Sequence, residues 1–153
     1  MGISARVTGE GGLIAKLAQT RQIVRDASRE ETVALNEEIL EGSKARAPFD
    51  TGALEDSHKA VVEPEADRIK TYVTVGPVEH NGFDYSVAMH EGIVEGYPYH
   101  LGKGSLEKNT GTPHYGTGVG WKFLQRAFDA VMRTAQARIR RKIEEALATV
   151  KET

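Results

Sequence analysis

Apolar residues recur at three- and four-residue steps through much of the chain, and alternate at two-residue steps in a few short stretches. Ile3 to Val7 alternates and predicts a short strand, broken by Gly9, Gly11 and Gly12. Leu13, Ile14, Leu17 and Ala18 then form one stripe that Ile23 and Val24 extend less regularly, which predicts a first helix. Ser28 with Glu31 three residues on matches a capping box, so a second helix is expected from there to about Arg46. Leu35, Ile39, Leu40, Ser43 and Ala47 would face inward on it, with Glu37, Glu38, Glu41 and Lys44 in water. Pro48 stops the helix, because the residue before a proline disfavours helical geometry.

Past an Asp50-Thr51-Gly52 turn, Ser57–Val62 and Ile69–Val75 read as two strands joined by a polar segment, a hairpin or meander. A glycine-rich region then runs from about Val78 to Gly120, interrupted by the apolar stretch Tyr85–Met89. Its part from Gly92 to Gly120 lacks periodicity and is expected to be a long functional or partner-ordered loop. The last helix is the clearest. It starts near Trp121 and carries Leu124, Phe128, Val131, Met132, Ala135, Ile139, Ile143, Leu147 and Val150. At 1.5 Å per residue it spans about 45 Å, longer than a domain of this size is wide, so part of it is expected to pack on another subunit or protrude. The pattern predicts an α+β class: a small, mainly antiparallel sheet packed against long helices, in a single domain covering 1–153.

Composition narrows the function. The 153 residues are 39% hydrophobic and 27% charged, as in ordinary soluble proteins, and a net charge of −2 gives no general attraction to nucleic acid or an anionic membrane. No cysteine is present, which removes disulfides and thiolate chemistry and fits synthesis in a reducing cytoplasm. No run reaches the roughly 18 to 20 apolar residues that a membrane helix needs, so no membrane partner is expected.

The segment Ala45-Arg46-Ala47-Pro48-Phe49-Asp50-Thr51-Gly52-Ala53-Leu54-Glu55-Asp56-Ser57 closes a helix and opens a strand. Pro48 stops the helix, Asp50 can accept from backbone N–H groups two residues on, and Gly52 permits a positive φ where the chain reverses. This corner resembles the Ala-Pro-x-Asp-Thr-Gly-x-Leu-x-x-Ser signature of the neck, or tail-completion, proteins of long-tailed bacteriophages. In that family a long helix, this signature, a β-hairpin, a Tyr-Ser/Ala-x-x-x-Glu-x-Gly segment and a closing helix run through the whole chain. Tyr85-Ser86-Val87-Ala88-Met89-His90-Glu91-Gly92 matches the later segment, in the right order. Where the family commonly has Pro-Phe-Leu-x-Pro-Ala, this chain reads Gly120-Trp121-Lys122-Phe123-Leu124-Gln125-Arg126-Ala127, with both prolines missing.

The resemblance implies a structural virion protein without enzymatic activity or cofactor, forming a homo-oligomeric ring in the neck that joins head to tail. Six-fold symmetry, head-closure or adaptor proteins and the tail tube protein as neighbours, and genome DNA passing through the lumen without specific binding are implied with it. The residues singled out are Pro48, Asp50, Thr51, Gly52, Leu54 and Ser57 for the corner and Tyr85, Glu91 and Gly92 for the second segment. Tyr97, Tyr99, Tyr115, Trp121, Phe123 and Leu124 are candidate contacts to subunits or neighbours.

Other chemistries fit less well. Aspartic proteases carry a similar Asp-Thr-Gly but need two such loops, and this chain has one. His58, His80, His90, His100 and His114 form no His-x-x-x-His pair and read as solvated, with His90 and Glu91 at a subunit contact. Lys103-Gly104-Ser105 has the residues of a phosphate loop in the wrong order. The basic run Arg133, Arg138, Arg140, Arg141 and Lys142 supports the alternative of a DNA-binding accessory protein, although Glu144 and Glu145 stand four residues after Arg140 and Arg141 and can pair with them.

Overall fold

The computed structural model describes residues 10–65, 68–80, 82–94, 97–98, 100–108 and 118–151. The expected strand Ile3–Val7 lies outside them. The elements in chain order are α1 (Glu10–Arg46), α2 (Ala53–Asp56), β1 (Lys59–Pro64), β2 (Ile69–Thr74), β3 (Glu79–His80), β4 (Phe83–Asp84), α3 (Tyr85–Glu91), β5 (Ile93–Val94), β6 (Tyr97–Pro98), α4 (Lys103–Lys108) and α5 (Phe123–Lys151). The class is α+β, with a small two-stranded antiparallel sheet and a long C-terminal helix. Chain packing divides it into two compact units, one of 1–31 with 137–153 and one of 32–136.

α1 is one helix of 37 residues, about 55 Å long, where two were expected. Ser28 does not cap a second one. A capping box needs Glu31 to turn back to the serine's own amide, whereas Glu31 accepts from Arg138 Nε at 2.8 Å. No proline interrupts the run from Glu10 to Arg46, so nothing forces a break.

In the unit formed by the two chain ends, the first part of α1 lies antiparallel to the last part of α5. Besides Glu31–Arg138, Lys142 Nζ donates to Glu30 at 2.9 Å. Ala27 is buried there, but Leu13, Ile14 and Leu17 stand 62%, 66% and 61% exposed rather than in a core.

In the other unit α1 buries Leu35, Asn36, Ile39, Leu40, Ser43 and Ala47, a stripe at helical spacing that matches the inward face read from the sequence. α5 presents Phe123, Ala127, Val131 and Ala135, each four residues from the last. Val131 and Ala135 belong to the stripe expected on this helix, while Phe128 and Met132 of that stripe are 45% and 48% exposed. Small side chains win because the helices meet closely, a Cβ built on Gly42 lying 3.4 Å from the Ala127 Cβ.

The hairpin pairs Lys59 with Thr74 through Pro64 with Ile69, and Glu65 N donates to Arg68 O at 2.9 Å. Its first strand starts at Lys59, two residues later than expected, because Ala53–Asp56 forms a helical turn and Ser57 N is held by Ala53 O at 3.1 Å. Ala47, Leu54, Val78, Met89 and Phe123 form the core, with Val75, Tyr85 and Leu124 packed on it.

Candidate functional site

Leu54 of the corner and Tyr85 and Met89 of the second segment share a core with Ala47, at the carbonyl end of α1. A helix ends with four carbonyls that lack partners within it. Here Gly120 N donates to Arg46 O at 2.9 Å, while Lys108 Nζ donates to Lys44 O at 2.7 Å and Ala47 O at 3.0 Å and pairs with Glu55. A lysine at this end also meets the negative pole of the helix dipole.

Pro48 is buried directly after the helix, and Gly52 takes φ +89° as the chain reverses into α2. The side chain that accepts in this turn is Thr51's hydroxyl, from Ala53 N at 3.4 Å, where Asp50 was expected; Asp50 is exposed. Leu54 enters the core. Ser57 Oγ donates to Leu54 O at 2.7 Å and accepts from Gly76 N at 3.1 Å, tying the corner to the end of the hairpin.

The second segment starts from Asp84, whose carboxylate accepts from Val78 N and Ser86 N, both at 3.0 Å, and caps α3. These bonds hold its carboxyl below the usual carboxylate range. Tyr85 and Met89 reach the core that holds Leu54. Gly92 ends α3 at φ +74°, and a Cβ there would stand 2.9 Å from Trp121. Glu91 pairs with Lys122 and, at 3.0 Å, with His90 Nδ1, which keeps its carboxyl low. Lys122 N donates to His90 O at 2.6 Å, so α3 and the start of α5 are fastened by backbone and side chain together.

The contact candidates separate. Trp121 is exposed, whereas Phe123 is fully buried and Leu124 packs on the core. Phe123 is therefore a core residue and not a contact, because the rings of His58 and His90 close around it at 5.5 and 5.0 Å. Tyr97 lies in β6, and Tyr99 and Tyr115 lie outside the described residues, as does His114.

The solvated reading holds for His100 and fails for two other histidines. His58 is 4% exposed: its Nδ1 donates to Leu54 O at 2.7 Å and its Nε2 accepts from the Ser43 hydroxyl at 2.9 Å. Burial pushes its pKa down, with Lys44 adding to the effect and the backbone bonds opposing it. His90 is half-buried, and its Nε2 has no partner among the described residues.

The expected long loop contains α4. Ser105 donates to Phe49 O at 3.0 Å and accepts from Phe49 N at 2.8 Å, so Lys103–Lys108 is bound to the corner of its own chain. Lys108 was not picked out in the sequence, and Ser105 only within the phosphate-loop comparison, since their partners lie 53 to 64 residues away.

The basic run is largely neutralised. Arg140 and Arg141 pair with Glu144 and Glu145 at 3.0 and 3.6 Å, Arg138 with Glu31 and Lys142 with Glu30. A groove of about 400 Å³ beside the last pair is lined by Asp26, Ala27, Glu145 and Thr149. Among the described residues no group of three or more His, Asp or Glu could hold a metal, and no helix is long and apolar enough to cross a membrane. Comparison with known proteins finds no matching family model, curated protein or solved structure.

Proposed function

We propose that this chain is a structural, non-enzymatic subunit of a tailed-phage neck, a ring that joins the DNA-filled head to the tail. The observation that carries the reading is the convergence of its two signature segments. Leu54 of the corner meets Tyr85 and Met89 of the second segment in one core, at the end of a long helix and beside a hairpin. The order of elements, long helix, corner, hairpin, second segment and closing helix, is the order that the resemblance to neck proteins implies.

The exposed apolar residues supply a reason to assemble. Phe128 and Met132 sit one turn apart on α5 in one unit, and Leu13, Ile14 and Leu17 form a second exposed group in the other. Large apolar residues grouped in this way commonly mark contacts. Closed cyclic symmetry with head-to-tail contacts would cover them, six-fold by the resemblance, with head-closure or adaptor proteins on one side and the tail tube protein on the other. On this reading the protein is made in the bacterial cytoplasm, ends in the virion, and lets genome DNA through its lumen without gripping it. The pairing of the basic run on α5 weakens the alternative of a DNA-binding accessory protein.

Native mass spectrometry of the purified protein, combined with electron microscopy of intact particles, tests the proposal. A ring of defined mass, seated between portal and tail, is the expected result. A stable monomer absent from particles, or steep salt-dependent retention on duplex DNA, would refute it.

A further inference from the structure

Arg46, on the last turn of α1, and Arg126, on the first turn of α5, carry like charges close enough together that Arg46 lowers the basicity of Arg126, after the larger effect of burial. Both side chains are half-buried. Gly120 links them: its amide donates to Arg46 O at 2.9 Å, and its carbonyl accepts from Arg126 Nη2 at 3.2 Å. The Arg46 guanidinium folds back over Gly42, giving Nη1 to the Gly42 carbonyl at 2.7 Å. The missing side chain of Gly42 makes room, since a Cβ there would lie 3.0 Å from that Nη1.

Lys108, Lys122, Arg138 and Lys142 each find a carboxylate on another element. Neither Arg46 nor Arg126 makes an ion pair with any described residue, and the Nε of each is buried without a hydrogen-bond partner. Two neighbouring desolvated guanidiniums repel, and each satisfies only part of its donor set on a neutral carbonyl. Such an arrangement is stabilised by an anion that meets both. A carboxylate is planar and singly charged, and matches one guanidinium fork. Guanidiniums arriving from two helices are matched instead by a tetrahedral dianion, whose oxygens diverge and whose charge equals theirs.

We infer that Arg46 and Arg126 together hold one tetrahedral oxyanion of the phosphate or sulfate class. The oxyanion meets the Nη groups not engaged with Gly42 and Gly120, and a small turn of each guanidinium brings the closed-off Nε onto it. Its effect is to lock the carbonyl end of α1 to the start of α5. The site is independent of the ring reading, since all of its groups belong to one chain.

The test is a titration of the full chain with inorganic phosphate and with sulfate, against chloride at matched ionic strength, followed by thermal unfolding and by the Arg Nε–Hε signals in NMR. Saturable stabilisation by both dianions and not by chloride is expected, with two Nε–Hε signals shifting. Arg46→Gln and Arg126→Gln should each weaken binding roughly tenfold or more, with Arg133→Gln unchanged. Equal stabilisation by chloride would reduce the effect to screening and overturn the site. So would a wild-type spectrum in which no Arg Nε–Hε signal responds, a readout that stands even if a variant fails to fold. Displacement of bound phosphate by short duplex DNA would also overturn it, in favour of a nucleic-acid contact.

Discussion

Ser105 and Phe49 exchange two hydrogen bonds, the serine hydroxyl donating to the Phe49 carbonyl at 3.0 Å and accepting from its amide at 2.8 Å. One side chain thus satisfies both backbone groups of the residue after Pro48, and Ser105 is 1% exposed while doing so. Removing it leaves a donor and an acceptor without partners in a place water reaches poorly. Ser105→Ala should lower stability by about 1–3 kcal/mol, read from urea unfolding. Amide exchange at Phe49 should speed up in the same variant, and a protected Phe49 amide would show that the pair contributes little.

Gly52 holds φ +89°, and a Cβ built on it would meet only Phe49 Cε2, at an ordinary 3.6 Å. The cost of a side chain there is backbone strain rather than collision. Gly52→Val should therefore destabilise by more than about 1 kcal/mol, and Gly52→Asn by less, because asparagine tolerates the left-handed region. Equal melting temperatures for the two variants would contradict this account.

His58 gives the unit around the corner a pH dependence. Its folded pKa is depressed by burial, so between that value and its unfolded value of about 6.5 the unfolded chain binds more protons. The stabilisation is complete above the unfolded pKa and is lost as pH falls through the window below it. Urea midpoints should drop as pH falls below about 6.5, and His58→Gln should flatten that part of the profile. An identical slope in the variant would assign the dependence to other groups.

Phe128 and Met132 test assembly apart from folding. Both are about half exposed in the single chain, so replacement by glutamate should change its stability by no more than roughly 0.5 kcal/mol. Phe128→Glu combined with Met132→Glu should abolish the ring in native mass spectrometry while far-ultraviolet circular dichroism stays unchanged. A ring that survives the double substitution would place the subunit contact elsewhere.

Much of this fold was legible because its signals are local. Pro48, the Thr51-Gly52 turn and the alternation in Lys59–Pro64 and Ile69–Thr74 each act within a few residues. What stayed hidden depends on partners far along the chain. The Ser28-to-Glu31 signature is a valid helix start in isolation, and Arg138 cancels it. Val131 and Ala135 were legible on the inward line of α5, but hydrophobicity ranks Phe128 and Met132 above Ala127, whereas the close approach at Gly42 selects for size. α4 has only six residues, and its anchors on Lys44, Ala47 and Phe49 leave no periodic trace. At the site, the corner glycine could be read from residue type, but the cap of α3 by Asp84 went unread, and so did the buried pairing of His58 with Ser43.

Lys108 and Gly120 grip the same turn of α1, at Lys44, Arg46 and Ala47, so two points of the chain twelve residues apart are pinned side by side. Lengthening a chain segment between pinned ends costs little, about 0.6 kcal/mol for each doubling of its length. Evolution or an engineer can therefore graft a new stretch between these posts and leave the scaffold beneath it intact.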